Sequence, residues 1–163
     1  MKHYEAPWSK ALIAISVFTT VICLGAAAGM AWEAAARPQA APLRWVALLP
    51  LLILFGAALC TIRGYSIAAD VILVHRLLWS TALPREGIES ASAEPEAMRW
   101  SIRTFGNGGA FSFTGLYYNK RLGSYRAFVT DPRRAVVLRY AGRRVVLSPG
   151  DPEDFVRELA VPS

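Results

Sequence analysis

The sequence predicts an α+β protein in two parts: a two-helix transmembrane hairpin, then an antiparallel β-barrel or sandwich capped by a C-terminal helix. Three observations carry that expectation. Two long apolar runs, neither holding a charge, lie within the first 63 residues. From Tyr65 the pattern changes to short alternating segments divided by glycine, proline and asparagine. The final segment, SPGDPEDFVREL, switches to a helical period.

The apolar runs are Ala11 to Trp32 and Trp45 to Ile62. A helix needs about 20 apolar residues, within a range of about 17 to 25, to cross the hydrocarbon core. Both runs meet that length, so residues 1–63 are expected to hold an N-terminal tail and spans at about 11–32 and 44–62. A cleaved signal peptide is the alternative for the first run, which has Lys2 and Lys10 before it and GAAAGMA at its end. Signal cores span about 7 to 15 residues, so the length favours an uncleaved anchor. Lys2 and Lys10 precede the first run, and Arg63 and Arg76 follow the second. The connecting segment sets Arg37 and Arg44 against Glu33. An N-in, C-in hairpin with a cytoplasmic C-terminal domain fits this distribution.

Gly25 and Gly29 are four residues apart on one helix face. Small residues let helix backbones approach, so they are expected to pack the hairpin, with homo-oligomerisation through the same face as the alternative. Pro50 should bend the second span. Cys23 and Cys60 both fall inside the spans and offer neither a zinc knuckle nor a disulfide framework.

In the C-terminal part, 64–160, YSIAADVILVHRLLWSTALP reads as two or three strands with a turn at Ala69-Asp70. Leu83 to Met98 is polar and broken by Pro84 and Pro95, an irregular segment with a helical turn near Ile88. A strand from Arg99 to Phe105 should end in a turn at Asn107-Gly108, because both residues tolerate positive φ. AFSFTG and LGSYRAFVTD give two more strands, and Asp131-Pro132 stops the second. Ala135–Tyr140 against Arg143–Ser148 is the clearest hairpin. Asp151 then caps a helix whose first turn holds Pro152 and Asp154, with Phe155, Val156 and Leu159 as its apolar stripe.

The chemistry-bearing readings are few. Gly106, Gly108 and Gly109 lack the Gly-Lys-Ser/Thr of a phosphate loop and are followed by strand alternation, so they read as a turn. Phe111, Phe113, Tyr117, Tyr118 and Tyr125 could stack on single-stranded nucleic acid, but a small sheet needs as many large residues for its own core. The net charge of +6 is shared equally by residues 1–63 and 64–163, which is too mild for a nucleic-acid footprint. His75 stands in a probable strand with Asp70 five positions before it, and no nucleophile motif accompanies them. No catalytic residue, metal set or cofactor motif is expected. Lys120, Arg121, Arg133, Arg134, Arg143 and Arg144 fall at strand ends or turns, where they could meet anionic lipid or a protein partner.

The segment RTFGNGGAFSFTGLYYNKRLGSYRAFVTD, the residues LGSY at 122–125 and the close VVLSPGDPEDFVREL resemble bacterial PH-like domain proteins. The resemblance covers roughly Gly64 to Leu159. It implies the pleckstrin-homology fold, two nearly orthogonal antiparallel sheets of about seven strands closed by a C-terminal helix. It also implies a non-catalytic module tethered to the bacterial inner membrane, binding or assembling a protein partner. An anionic-lipid sensor, or an accessory subunit of a membrane enzyme or transporter, are the alternatives. The first hairpin loop, Ala68 to Val71, is acidic here, so no head-group contact carries over.

Overall fold

The computed structural model describes residues 1–160. Strand β1 (Lys2–Glu5) comes first, where a tail was expected. Helix α1 (Lys10–Ala36) follows, and the second apolar run folds as α2 (Leu43–Val46) and α3 (Leu48–Leu59). Strands β2 (Ile62–Ile67), β3 (Val71–Arg76), β4 (Ser80–Pro84) and β5 (Ile88–Ala93) come next. Then follow β6 (Ile102–Gly108), β7 (Phe113–Asn119), β8 (Gly123–Val129), β9 (Val136–Tyr140) and β10 (Arg143–Leu147), closed by α4 (Pro152–Ala160).

Ser9 starts α1 by accepting a hydrogen bond from the Leu12 amide, 3.1 Å. Its 27 residues rise about 40 Å, enough to cross a bilayer. Ile13, Ile15, Val17, Phe18, Val21 and Ile22 are exposed over about half of its circumference, and no residue from Ala11 to Trp32 carries a charge. A helix apolar on all sides is at home in lipid, not in water. Among the described residues α1 is the one helix long and apolar enough to span, and the second limb, Leu43–Leu59, is shorter. The expectation of two spans of full length is therefore met only by the first. The limb breaks at Ala47, and the cause is Pro50, which lacks the N–H that the Val46 carbonyl needs.

Gly25 and Gly29 do not pack the hairpin. A Cβ on either would meet no neighbouring atom within 4 Å. The covered side of α1 at that level is Cys23, Ala26, Ala27 and Met30, a quarter to half a turn away. A four-residue spacing puts two residues on one face but does not choose which face meets the partner.

β1 pairs antiparallel with β2, from Lys2 opposite Ile67 to Glu5 opposite Gly64. Gly64 permits the approach: a Cβ there would lie 2.7 Å from the His3 ring and the Tyr4 carbonyl. The helical hairpin is thus an insertion between two hydrogen-bonded strands of the β-domain. Its root is pinned by Ser9 N–H donating to the Thr130 carbonyl (3.2 Å) and Gly150 N–H donating to the Glu5 carbonyl (2.8 Å).

Two sheets result, ordered β1-β2-β3-β4 and β5-β9-β10-β8-β7-β6. The ten strands exceed the expected seven or so, and one pair is parallel where all were expected antiparallel. β9 leaves one place vacant beside β8, and β10 returns into it, so β10 runs parallel to β8. Residues 88–93 form β5 and no helical turn, because the exposed edge of β9 pairs with Ser90, Ala91 and Ser92. The β6–β7 turn falls at residues 109–112, later than Asn107-Gly108. There the Asn107 side chain holds both polar groups of the Ala110 backbone, accepting from its N–H at 3.1 Å and donating to its carbonyl.

The main core lies between the sheets and under α4, with Tyr65, Phe128, Leu138, Leu147 and Phe155 fully or almost fully buried. A second core, including Ala97, Tyr117, Tyr125, Val137 and Val146, fills the other face of the larger sheet. α4 forms as the pattern predicts: Asp151 Oδ1 accepts the Asp154 amide at 2.9 Å, and Phe155 points inward.

Candidate functional site

The six basic candidates separate into two groups. β8 and β10 are parallel, so the turn before each lies at the same end of the sheet. Lys120 and Arg121 occupy one turn, and Arg143 and Arg144 follow the other. Arg144 Nη1 donates to the Leu122 carbonyl at 2.6 Å and ties the turns together. Arg133 and Arg134 sit in a short 3-10 turn, Pro132–Arg134, beyond the other end of β8.

The helical hairpin joins the sheet at that second end. Thr130 receives Ser9, Ser112 Oγ donates to the Cys60 carbonyl at 2.9 Å, and the Phe111 amide donates to Ser16 Oγ at 2.9 Å. Lys120, Arg121, Arg143 and Arg144 therefore stand one strand length, about 23 Å, from the hairpin root. The six basic residues therefore do not share one edge, because sequence places turns without saying which turns share an end. Arg133 and Arg134 are near the root, with Arg134 bound to Asp131 and to the Gly150 carbonyl.

Arg121 is already engaged: with Arg139 it holds Glu94, whose Oε1 lies 2.6 Å from Arg139. Partial burial pushes the Glu94 carboxyl upward, but hydrogen bonds from Ser92, Arg139 and Arg121 outweigh it and keep the group below its ordinary range.

Within the β-domain, an uncovered apolar surface lies on the β6–β7 hairpin. Ile102 pairs with Tyr118 and Phe105 with Leu116, so all four side chains share one face. All are exposed, Phe105 at 75 %. β6 is an edge strand, and its outer side has no partner strand among the described residues. Trp100, at φ +57° and 83 % exposed, extends the patch. It opens an 800 Å³ cleft shared with Arg99, Tyr118 and Lys120. The opposite face of the same hairpin is core: Tyr117 stacks on Tyr125 with centroids 5.9 Å apart. The core reading of the aromatics therefore holds for Tyr117 and Tyr125 and fails for Tyr118. Phe111 sits in the turn and packs edge-on to Trp8, centroids 6.3 Å apart. Sequence reasoning missed Trp100, Ile102, Phe105 and Leu116 as a surface. A bulge between Arg103 and Phe105 moves Phe105 onto the Ile102 face, which simple alternation does not show.

His75 is structural in its contacts. Nε2 lies 2.7 Å from Ser66 Oγ and Nδ1 lies 2.9 Å from Ser80 Oγ, while the His3 ring is 5.6 Å away. Asp70 is at the opposite end of β3, so the proposed proximity does not occur. No group of three metal-binding side chains occurs among the described residues. Burial, then the neighbouring His3, lowers the His75 pKa from its ordinary 6.5. Folding therefore favours the neutral ring, and stability is complete above pH 6.5 and falls as acid drives the pH through the lowered value. Thermal unfolding between pH 7.5 and 5 should show a falling transition whose pH slope flattens in His75→Gln. Equal slopes in parent and variant would contradict this.

One apolar helix long enough to cross a membrane, two β-sheets and a capping helix define the class: a β-module with an apolar helical insertion. Residues 63–162 match the family described as Bacterial PH domain, and the chain belongs to that family. No curated protein and no solved structure matches it.

Proposed function

We propose that this chain is a two-pass membrane tether carrying a PH domain that docks a protein partner at the inner, cytoplasmic face of a bacterial membrane. The observation that carries the docking is the apolar face of Ile102, Phe105, Leu116 and Tyr118 beside a free strand edge. A solvent-exposed edge with large apolar side chains is a template for an added strand. Arg99, Lys120 and Arg126 surround it, so the fitting partner is an extended segment of apolar residues with acidic flanks.

The pairing of β1 with β2 supports two crossings. Both ends of the hairpin are fastened to one domain, so a chain that leaves through α1 must return before Ile62. Leu43–Leu59 provides about 25 Å of helix for the return, at the short end of what a bilayer accepts. Lys2, Lys10, Arg63 and Arg76 on the domain side support the inward orientation. The tether raises the effective concentration of the module for a membrane-bound partner.

Affinity purification of the full chain in mild detergent tests the reading. A stoichiometric protein should co-purify with the parent and be lost, by about tenfold or more, from Phe105→Asp/Leu116→Asp. Retention of the same protein by the double variant, or recovery of lipid alone, would reject it. The second outcome would favour the lipid-sensor alternative.

A further inference from the structure

The turn between β3 and β4 is Leu77-Leu78-Trp79, three large apolar residues in a row. All three are exposed, Leu78 at 72 %. Exposed apolar triplets are uncommon at hairpin tips, which usually carry turn-forming polar residues.

Its position is fixed by strand register. Arg76, the last residue of β3, is the cross-strand partner of Ile62, the first residue of β2. Ile62 lies just after the C-terminal end of α3, whose cap is Cys60. The chain beyond Arg76 therefore continues toward the level of the helix end. Arg76 Nη1 donates to the Cys60 carbonyl at 3.2 Å, which places the turn directly beside the helix. Two residues past Arg76 reach at most about 7 Å, so Leu78 is at the depth of the last turn of α3. The guanidinium of the buried Arg76 also lies 5.7 Å from the Trp79 ring centroid, a contact that braces the turn against β3.

Trp8, just before α1, enters the same end of the hairpin, and Trp32 and Trp45 mark the other end. Tryptophan concentrates at the headgroup level of both bilayer faces. From Lys10, two residues after Trp8, to Trp32 the helix rises about 33 Å, which matches the spacing of two such belts around a core of about 30 Å.

We infer that Leu77, Leu78 and Trp79 dip into the interfacial region of the bilayer in which the hairpin stands, forming a further membrane contact. The inference rests on the membrane reading of the hairpin. The occupant of this surface is lipid, because the chain itself sets the surface at the depth where lipid begins. Leucine supplies apolar area to bury, and tryptophan an amphipathic ring. With the turn inserted, the β-domain rests on the hairpin root and on this tip, and cannot swing about the root alone.

The test uses the full chain in phosphatidylethanolamine/phosphatidylglycerol vesicles. The protein has five tryptophans, so single-tryptophan chains are made by Trp→Phe substitution, retaining Trp79, Trp45 or Trp100. Shallow brominated acyl chains should quench Trp79, and its acrylamide quenching constant should be about threefold below that of Trp100. Leu78→Asp in the Trp79 chain should restore acrylamide access. Equal acrylamide quenching of Trp79 and Trp100, or shielding of Trp79 unchanged by Leu78→Asp, would overturn the inference. Trp45 reports the hairpin separately: bromolipid quenching of Trp45 without Trp79 removes the turn but keeps the crossing. Quenching of Trp79 without Trp45 keeps the turn and removes the crossing. A spin label at Leu78→Cys, with Cys23 and Cys60 replaced by alanine and every tryptophan kept, repeats the measurement without the indole changes. It should be more accessible to oxygen than to a water-soluble nickel chelate, and the reverse would overturn the inference.

Discussion

Gly115→Ala is expected to unravel the β6–β7 hairpin and lower the stability of the whole domain. Gly115 and Gly106 face each other across the strands, at φ +140° and +105°. A Cβ on Gly115 would come within 2.1 Å of the Phe105 carbonyl oxygen and 2.8 Å of Gly106 Cα. The obstacle is backbone, so no side-chain rotation relieves it. A side chain at such a φ costs about 1–3 kcal/mol, and forcing the strands apart adds about 1–3 kcal/mol. A combined loss of about 4 kcal/mol takes away much of a small domain's stability. Thermal unfolding of the full chain in detergent reads the loss. Gly25→Ala is the matched control, since its Cβ would meet open space and alanine is the better helix former. If Gly115→Ala and Gly25→Ala melt together, the reading of the glycine pair is wrong. Because Phe105 and Leu116 flank the pair, Gly115→Ala should also abolish partner capture.

Phe155→Ala is expected to release both ends of the chain at once. The ring is fully buried and meets Tyr4 edge-on at 4.9 Å and Tyr65 at 6.4 Å between centroids. Truncating a buried phenylalanine costs about 3–5 kcal/mol. The particular consequence is where the loss appears. Tyr4 donates to Asp154 Oδ2 at 2.8 Å, and Lys2 lies 2.6 Å from the same carboxylate, so β1 and α4 are held as one unit. Lys2, then Tyr4, holds the Asp154 carboxyl below its ordinary range. Without Phe155 the ion pair is left at the surface, where such contacts stabilise little. Amide hydrogen exchange should quicken in residues 2–5 as well as 152–160. Exchange that quickens only in α4 would show that the two ends are independent.

The parts legible in sequence are those decided by local chemistry. Asp151, Pro152 and Asp154 start α4 in the way their residue types dictate, and Val71–Arg76 and the β9–β10 hairpin follow from alternation and turn residues. The misses came from pairings between distant segments. Lys-His-Tyr-Glu is too short and polar to read as a strand until β2 is placed beside it, and Ser90-Ala91-Ser92 gains strand character only from β9. The candidate site divides in the same way. The basic turns were visible one by one, but the parallel pairing of β8 and β10 decided which of them meet. Ile102, Phe105, Leu116 and Tyr118 carry ordinary core residue types, and only the extent of the smaller sheet leaves them uncovered.

The pairing of β1 with β2 sets an order of assembly. During synthesis β1 leaves the ribosome first, yet its partner strand follows only after both helical limbs. In the proposed two-pass arrangement the strand waits on one side of the membrane while the limbs insert, and it joins the sheet only if the chain comes back to that side. Closing so long a loop has an entropic cost that rises only slowly with length, so the wait is thermodynamically tolerable. A chain whose second limb failed to return would keep β1 unpaired and the edge of β2 bare. In the proposed two-pass arrangement, completion of the first sheet therefore requires that the second limb has returned.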